Sequence, residues 1–219
     1  MCVWDLDGTL LNTLPALHYF NNLSLKHYGF TPISYDQSII LIKYPVDRYY
    51  RELLRMGGCP EDKVEELAEE FIQYDYELYA ADPTLHLETF PGVGETLAEL
   101  CGMGIRNVVL SNKFETISTE IVNHHYQNYI EAVYGQNPDT LSKPKVGCTD
   151  RMLRDSGLQR EEILIIGDTE VDMLTAKNNH FPVAAVTWGY QDEDVLKQYD
   201  PDYLIAEPSQ LIEIIKENQ

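Results

Sequence analysis

Short apolar runs, each followed by turn residues and then by a helical pattern, recur along most of this chain. The runs do not alternate strictly between apolar and polar residues, so they predict strands that are buried on both faces, as in a parallel sheet covered by helices. Strands that alternate with helices indicate an α/β, Rossmann-like architecture. The predicted strands are Met1–Trp4, Ile105–Leu110, Ile130–Tyr134, Ile163–Ile166, Val183–Val186 and Tyr203–Ile205.

One stretch, from about Thr13 to His86, shows helical patterns and no strand pattern. Its clearest helix spans Glu61–Ala80 and has one apolar face with a single polar interruption; that face comprises Val64, Leu67, Ala68, Phe71, Asp75 and Leu78. A weaker stripe ends at Gly29 and comprises Leu14, Leu17, Asn21, Leu25 and Tyr28. We therefore expect residues 14–87 to form an all-helical cap domain, inserted into a Rossmann-like catalytic core of residues 1–13 and 88–219. The hinges would be Thr13–Leu14 and Glu88–Pro91.

The charge of the chain restricts its partners. The 219 residues include 36 acidic and 16 basic side chains, and the net charge of −20 repels nucleic acid and anionic membranes at long range. No apolar run approaches the roughly 20 residues that span a bilayer, and the N-terminus lacks a secretory pattern. Four scattered cysteines without a CxxC pair suit a reducing compartment. We expect a cytoplasmic protein, a monomer or small homo-oligomer, that binds neither nucleic acid nor membrane.

Two polar motifs follow the first two predicted strands of the core. The sequence DLDGTL at residues 5–10 places Asp5 and Asp7 at the end of a buried strand, where open α/β sheets bind their ligands. Gly8 allows a sharp turn there. The sequence SNK at residues 111–113 offers the Ser111 hydroxyl and backbone N–H groups, which can hold phosphate oxygens. Either motif alone is also an ordinary turn or helix cap.

Two more motifs lie further along the chain. Lys143-Pro144 stands at the start of a helix predicted to run to about Gly157, where a lysine alone would be an ordinary surface charge. The sequence GDTEVD at residues 167–172 follows a predicted strand. A helix that begins near Thr169 would bring Asp168 and Asp172 together at its N-terminal end. Acids at that position also serve as helix caps.

The four motifs complement one another chemically. Asp5, Asp7 and Asp168 would meet at the ends of central strands, and like charges 4 Å apart repel by about 4 kcal/mol at an effective dielectric near 20. Such a cluster is unfavourable unless a cation fills it, and oxygen ligands without His or Cys favour Mg²⁺. Lys143 and the Ser111 hydroxyl could neutralise the remaining oxygens of a bound phosphate.

At these residues the sequence resembles the haloacid dehalogenase-like superfamily, in particular its phosphoglycolate phosphatase-like branch with a helical cap. The resemblance implies a Mg²⁺-dependent phosphatase that acts on a small phosphorylated metabolite. Asp5 would be the nucleophile and a metal ligand, and Asp7 the general acid/base, whose backbone carbonyl also binds the metal. Asp168 would complete the metal site. The other implied roles are phosphate binding by Ser111, Asn112 and Lys143, and support of the metal site or of Lys143 by Asp172 and Thr9.

The chain departs from the family pattern at three places. Lys143-Pro144-Lys145-Val146 lacks the second proline of the usual KPxP motif, and Asn12 stands where aspartate is frequent. The segment Ile42-Lys43-Tyr44-Pro45 resembles the substrate-specificity loop of the cap, with Lys43 where glycine is expected. Lys43 could face an acidic leaving group or point to solvent.

Other activities of the same superfamily remain alternatives. A haloacid dehalogenase needs neither Mg²⁺ nor an acid at the position of Asp7, and a phosphonate hydrolase with a cap lysine usually lacks that acid too. A phosphosugar mutase would keep Asp5 and Asp7, and an inorganic pyrophosphatase would share the whole site. The alternative from another class is a non-catalytic phosphate-binding module, which a degraded motif would favour.

Overall fold

The computed structural model describes residues 1–44, 46–136 and 146–218, without the side chains of Val46, Asp47, Val146 and Gly147. The chain divides into two compact units. The core unit comprises Met1–Asn12 and Thr89–Gln219, and the helical unit comprises Thr13–Glu88.

The strands confirm the predicted α/β sheet. In chain order they are β1 (Cys2–Trp4), β2 (Leu11–Asn12), β3 (Glu88–Thr89), β4 (Asn107–Phe114), β5 (Ala132–Gln136), β6 (Leu164–Gly167), β7 (Val183–Val186) and β8 (Tyr203–Ile205). Six of them form one sheet in the order β5-β4-β1-β6-β7-β8, and every neighbouring pair is parallel. The short β2 and β3 form a separate two-stranded sheet. All six predicted strands are present, so the expected fold class is confirmed.

The helices of both units also follow the predicted alternation. They are α1 (Leu14–His27), α2 (Tyr35–Leu41), α3 (Val46–Met56), α4 (Glu61–Ala81), α5 (Val93–Gly102), α6 (Glu115–Tyr126), α7 (Val146–Ser156), α8 (Glu170–Asn179), α9 (Glu193–Lys197) and α10 (Gln210–Glu217). A 3₁₀ turn, Arg160–Glu162, precedes β6. None of the helices in the described ranges has the length and apolar character of a membrane span.

The sheet is buried on both faces, which explains why its strands read as continuous apolar runs. In the register of the parallel pairs, Val3 lies opposite Val108 on β4 and Ile165 on β6, and these side chains share one core cluster. Trp4 points to the other face and is also fully buried. Its indole Nε1 donates to the Asn107 side chain at 3.0 Å, so the polar edge of the ring is satisfied.

The helical unit has a core of its own. Long α4 buries Val64, Ala68, Phe71 and Asp75 of the predicted face, and Tyr79 completes that face. On α1 the buried face is wider than the predicted stripe, because it takes in Ala16, Phe20 and Ser24 in addition to Leu14, Asn21 and Leu25. These faces pack with residues of α2 and α3, among them Leu41, Leu53 and Leu54.

The polar interruption in the α4 stripe is a buried hydrogen-bonded carboxylate. Asp75 is 2% exposed and accepts from the Ser24 hydroxyl at 2.7 Å and from the Tyr50 hydroxyl at 3.2 Å. A buried carboxylate is tolerated when such donors replace water. The contacts therefore link α1, α3 and α4 through one acid.

Removing one donor to Asp75 should destabilise the helical unit. Ser24→Ala deletes a fully buried hydroxyl that donates to the carboxylate, and we expect a loss of about 1–3 kcal/mol in the free energy of unfolding. The measurement is urea unfolding followed by circular dichroism. Ser209→Ala is the matched control, because Ser209 is exposed and makes no capping hydrogen bond through its side chain. Equal midpoints for the two variants would contradict this account.

Candidate active site

Three of the four predicted motifs, those at residues 5–10, 111–113 and 167–172, converge at the carboxyl ends of the three central strands β4, β1 and β6. Trp4, the last residue of β1, pairs with Ile166 of β6, and the Asp5 N–H donates to the Ile166 carbonyl at 2.8 Å. Asp5 and Asp168 therefore leave adjacent strands side by side. Ser111 lies at the same edge, because Trp4 also pairs with Val109 on the other side of β1.

Three carboxylates form the acidic cluster, which consists of Asp5, Asp168 and Asp172. One oxygen from each lies within 4.8 Å of the other two. Asp168 and Asp172 are almost fully buried, and Asp5 is only 9% exposed. Charges at such separations repel by several kcal/mol per pair in a partly buried site, so the cluster has the donor set and spacing of a divalent cation site.

Neighbouring hydrogen-bond donors orient two carboxylates of the acidic cluster. The Thr9 hydroxyl donates to Asp168 Oδ1 and the Tyr190 N–H to Asp168 Oδ2, each at 2.8 Å. Asp172 Oδ2 accepts from the Thr169 N–H at 3.1 Å and from the Thr169 hydroxyl at 2.7 Å, as the capping box of α8. The sequence analysis assigned Asp172 a supporting role. The structure brings its carboxylate into the cluster itself.

The loop after β7 supports the site, although no sequence motif pointed to it. The Trp188 indole donates to the Thr9 carbonyl at 3.1 Å, and the Tyr190 hydroxyl donates to Asn12 Oδ1 at 3.1 Å. Gly189 packs so closely on Asp168 that a β-carbon would overlap the carboxylate. The sequence feature that could have identified this loop is a glycine between two aromatic residues, shortly after a predicted strand.

Gly8 is required by both conformation and space. Its φ of +85° lies in the left-handed region that favours glycine, and a β-carbon there would overlap the Asp168 carboxylate and the Tyr190 ring. The turn after Asp7 can therefore approach Asp168 only because residue 8 has no side chain.

The carboxylate of Asp7 pairs with a lysine. Lys113 Nζ lies 2.8 Å from Asp7 Oδ1, and the side chains are 10% and 25% exposed. Lys113 is the last residue of the SNK motif, from which no role was predicted for it. The signal that could have found it was a lysine at a strand end of a chain with so few basic residues.

The remaining members of the SNK motif lie at the end of β4. Ser111 is 1% exposed, and its hydroxyl oxygen accepts the Lys113 N–H at 3.1 Å. The side-chain Oδ1 of Asn112 is buried and has no hydrogen-bond partner among the described residues. A polar atom in this state at a ligand-binding edge is available to a ligand.

Two lysines predicted for the site, Lys143 and Lys43, are not among the residues that the structure brings together here. Lys143 lies outside the described residues. Lys43 belongs to the helical unit, where it follows α2 in a turn and is half-buried.

The nearby thiols do not compete with the carboxylates. Cys2 lies on β1, three residues before Asp5, and burial raises its pKa to about 12. Cys148 Sγ donates to the Gly135 carbonyl at 3.0 Å. The Cys2 thiol therefore stays protonated, and the acidic cluster offers oxygen ligands of the kind that hard cations prefer.

Comparisons with known proteins agree with this geometry. The sequence pattern of the family described as haloacid dehalogenase-like hydrolase matches residues 2–186. A phosphoglycolate phosphatase from Caulobacter vibrioides is 31% identical over 88% of this chain and 81% of its own length. Pyrophosphatase PpaX from Halalkalibacterium halodurans is 24% identical over 97% and 95% of the two chains.

A solved structure shows the same fold. The haloacid dehalogenase-like family hydrolase from Streptococcus pneumoniae superposes with a TM-score of 0.82 at 22% identity, and the match covers 100% of this chain and 97% of that one. The family match covers most of the sequence, including the motifs that carry the acidic cluster. This chain belongs to the haloacid dehalogenase-like hydrolases, in their phosphoglycolate phosphatase-like branch.

Proposed function

We propose that this protein is a Mg²⁺-dependent phosphatase that hydrolyses a small phosphate monoester through an aspartyl-phosphate on Asp5. The observation that carries the proposal is the acidic cluster, whose three oxygens lie within 4.8 Å of one another at the edge where Asp5 leaves β1. Family membership supports the reaction class, and the relatives named phosphoglycolate phosphatase support a small monoester.

The donor set fits Mg²⁺. The side chains of Asp5 and Asp168 and the backbone carbonyl of Asp7 would hold the ion, with Asp172 beside them. All are hard oxygen donors, and the cluster is nearly inaccessible to water and needs positive charge. When bound, the ion would offset the negative charge of the transferring phosphoryl group.

In the first half-reaction, an Asp5 carboxylate oxygen attacks the phosphorus atom of the ester. The bond between phosphorus and the leaving oxygen breaks, and protonated Asp7 donates its proton to that oxygen as the alcohol departs. Asp5 is suited to this role because its backbone is fixed to β6 through the Ile166 carbonyl. Phosphoryl transfer depends mainly on such positioning and on charge neutralisation.

In the second half-reaction, the Asp7 carboxylate removes a proton from a water molecule, whose oxygen attacks the same phosphorus atom. The bond between phosphorus and Asp5 breaks, inorganic phosphate leaves, and Asp5 is again a carboxylate. Asp7 ends protonated, ready for the next ester. Ser111, Asn112 and Lys143 would hold the phosphoryl oxygens through both steps, Ser111 by its hydroxyl, Asn112 by its N–H and Lys143 by its ammonium group.

Inorganic pyrophosphate is a second candidate substrate, because one of the relatives is named a pyrophosphatase. A phosphosugar mutase would transfer the phosphoryl group back to a sugar without net release of phosphate. A panel of phosphorylated metabolites that includes pyrophosphate, ranked by kcat/KM, discriminates among these activities.

Removal of divalent cations should abolish turnover. We expect release of phosphate from 4-nitrophenyl phosphate at neutral pH in the presence of Mg²⁺, loss of that release in EDTA, and recovery when excess Mg²⁺ is added. The reason is that the acidic cluster cannot accept an anionic ester without a cation. The measurement is phosphate release with and without chelator; undiminished turnover in EDTA would disprove the metal requirement.

Asp5→Asn should eliminate phosphatase activity and leave the fold intact. An amide is a poor nucleophile, so we expect kcat to fall by at least about three orders of magnitude. Acid-quenched wild-type protein should carry one phosphoryl group by intact-mass spectrometry, and the variant should carry none. Asp194→Asn is the matched control, because the Asp194 side chain is 95% exposed on α9. Comparable turnover in Asp5→Asn would remove Asp5 from its proposed role.

Lys43→Ala should change substrate preference more than chemistry if the 42–45 segment is a specificity loop. We expect the largest loss of kcat/KM for esters with an acidic leaving group, because a cation would no longer face that group. Lys63→Ala, an exposed position on α4, serves as the control. A uniform loss over the whole metabolite panel would show that Lys43 does not select the substrate.

A further inference from the structure

The ion pair between Lys113 and Asp7 has no assigned role in the reaction described above. Lys113 is the third residue of the SNK motif, and its Nζ contacts Asp7 Oδ1 at 2.8 Å. The lysine side chain is only 10% exposed, unlike surface lysines such as Lys197 and Lys216, whose side chains are more than half exposed. A lysine is buried to this degree when it is paired.

We propose that Lys113 is a positioning residue that fixes the carboxyl group of Asp7 for proton transfer. The proposal rests on the function proposed above, because it gives Asp7 the role of general acid/base. Lys113 would therefore contact and orient Asp7, and it would not bind the transferring phosphoryl group.

The chain geometry favours an orienting contact. Asp7 follows β1 and precedes the Gly8 turn, so its backbone is held by the turn, with the Gly8 N–H bonded to the Leu11 carbonyl at 2.8 Å. Its side chain has two rotatable bonds. A cation bound to Oδ1 restricts both rotations and so fixes the direction of Oδ2.

The backbone of Lys113 is also held in place. Lys113 lies within β4, and its N–H donates to the hydroxyl oxygen of buried Ser111 at 3.1 Å. Because β4 pairs with β1 in parallel register, the strand that carries Lys113 and the strand that precedes Asp7 are neighbours in the sheet. The ammonium group thus reaches Asp7 from a rigid element, as effective positioning requires.

The proton transfers themselves are unchanged. Asp7 gives its proton to the departing alkoxide while the phosphorus–oxygen bond of the ester breaks. It regains a proton from the water that opens the phosphorus–Asp5 bond. Lys113 exchanges no proton in either step. Its contribution is that both transfers use one orientation of the Asp7 carboxyl group, which shortens the search for a reactive geometry.

The dependence on the leaving group tests this role. An alkyl phosphate such as 2-phosphoglycolate releases a basic alkoxide that needs the proton of Asp7, whereas 4-nitrophenyl phosphate releases a stable phenolate that needs it little. General acid catalysis contributes about 10²–10⁴-fold. We therefore expect Lys113→Met to lower kcat/KM for the best alkyl ester of the metabolite panel about 10- to 100-fold more than for the aryl ester. Equal losses for both esters would overturn the proposal.

A double-mutant cycle separates positioning of Asp7 from direct contact with phosphate. If Lys113 acts through Asp7, Lys113→Met should have no further effect on kcat/KM in an Asp7→Asn background. Multiplying losses would show that Lys113 acts on the substrate directly and would overturn the proposal. Lys197→Met, a substitution of an exposed lysine on α9, is the matched control and should leave kcat/KM unchanged in both backgrounds.

Two further measurements keep the result interpretable. Thermal unfolding of each variant tests folding, and Lys113→Gln, which keeps a neutral donor, replaces Lys113→Met in all comparisons if the methionine variant unfolds early. Failure of the proposed function has a different signature: wild-type protein would then release no phosphate from any ester. An active wild type whose Lys113 variants lose alkyl and aryl turnover equally contradicts only the positioning role.

Discussion

The parallel register of β1 between β4 and β6 is the constraint on which the site depends. Trp4 pairs with Val109 on one side and Ile166 on the other, so Asp5 emerges beside the last residues of β6 and beside the part of β4 that leads into Ser111. Strand register is specified strongly where both faces are buried, because a slip of one residue would exchange the faces of every side chain. Here the full burial of Cys2, Val3 and Trp4 fixes the position of Asp5. Packing of apolar side chains thereby determines where the carboxylates meet.

The proximity of the carboxylates has an electrostatic consequence in a chain of net charge −20. The described contacts of Asp168 with Thr9 and Tyr190, and of Asp172 with Thr169, come from neutral donors. Such donors orient an anion but leave its charge in place. Lys113 compensates Asp7, which lies at the rim and is more exposed than the acidic cluster. The acidic cluster, which includes the proposed nucleophile Asp5, therefore has the oxygen donors and the spacing that suit a divalent cation.

The fold could be predicted from the sequence where the apolar signal is continuous. The strands Val183–Val186 and Tyr203–Ile205 begin and end at the predicted residues. The strand predicted as Ile105–Leu110 instead runs over Asn107–Phe114, because Phe114 pairs with Gln136 of β5 after an irregularity in the register, although the three residues before it are not apolar. A pattern based on hydrophobicity cannot see such an extension, since backbone pairing makes the strand there. Similarly, buried Ser24 widens the face of α1 only because Asp75 lies on the opposite helix.

The site was predictable to the extent that it follows from topology. Asp5 and Asp168 end adjacent parallel strands, so their proximity follows from the strand order alone. Two other features of the site did not follow from topology. The contact of Lys113 with Asp7 depends on side-chain rotamers. The packing of the Trp188–Tyr190 loop on Thr9 and Asn12 depends on a loop that carries no recognisable motif.

The sequence predicts two roles for Asp172, a helix cap and support of the metal site or of Lys143. A carboxylate that caps α8 accepts hydrogen bonds from Thr169 and faces the positive end of the helix dipole. These contacts fix the direction of the carboxylate, and one of its oxygens lies within 4.8 Å of an oxygen of Asp5 and an oxygen of Asp168. The capping box therefore holds an oxygen of Asp172 beside Asp168, so the helix cap contributes to the geometry of the proposed metal site.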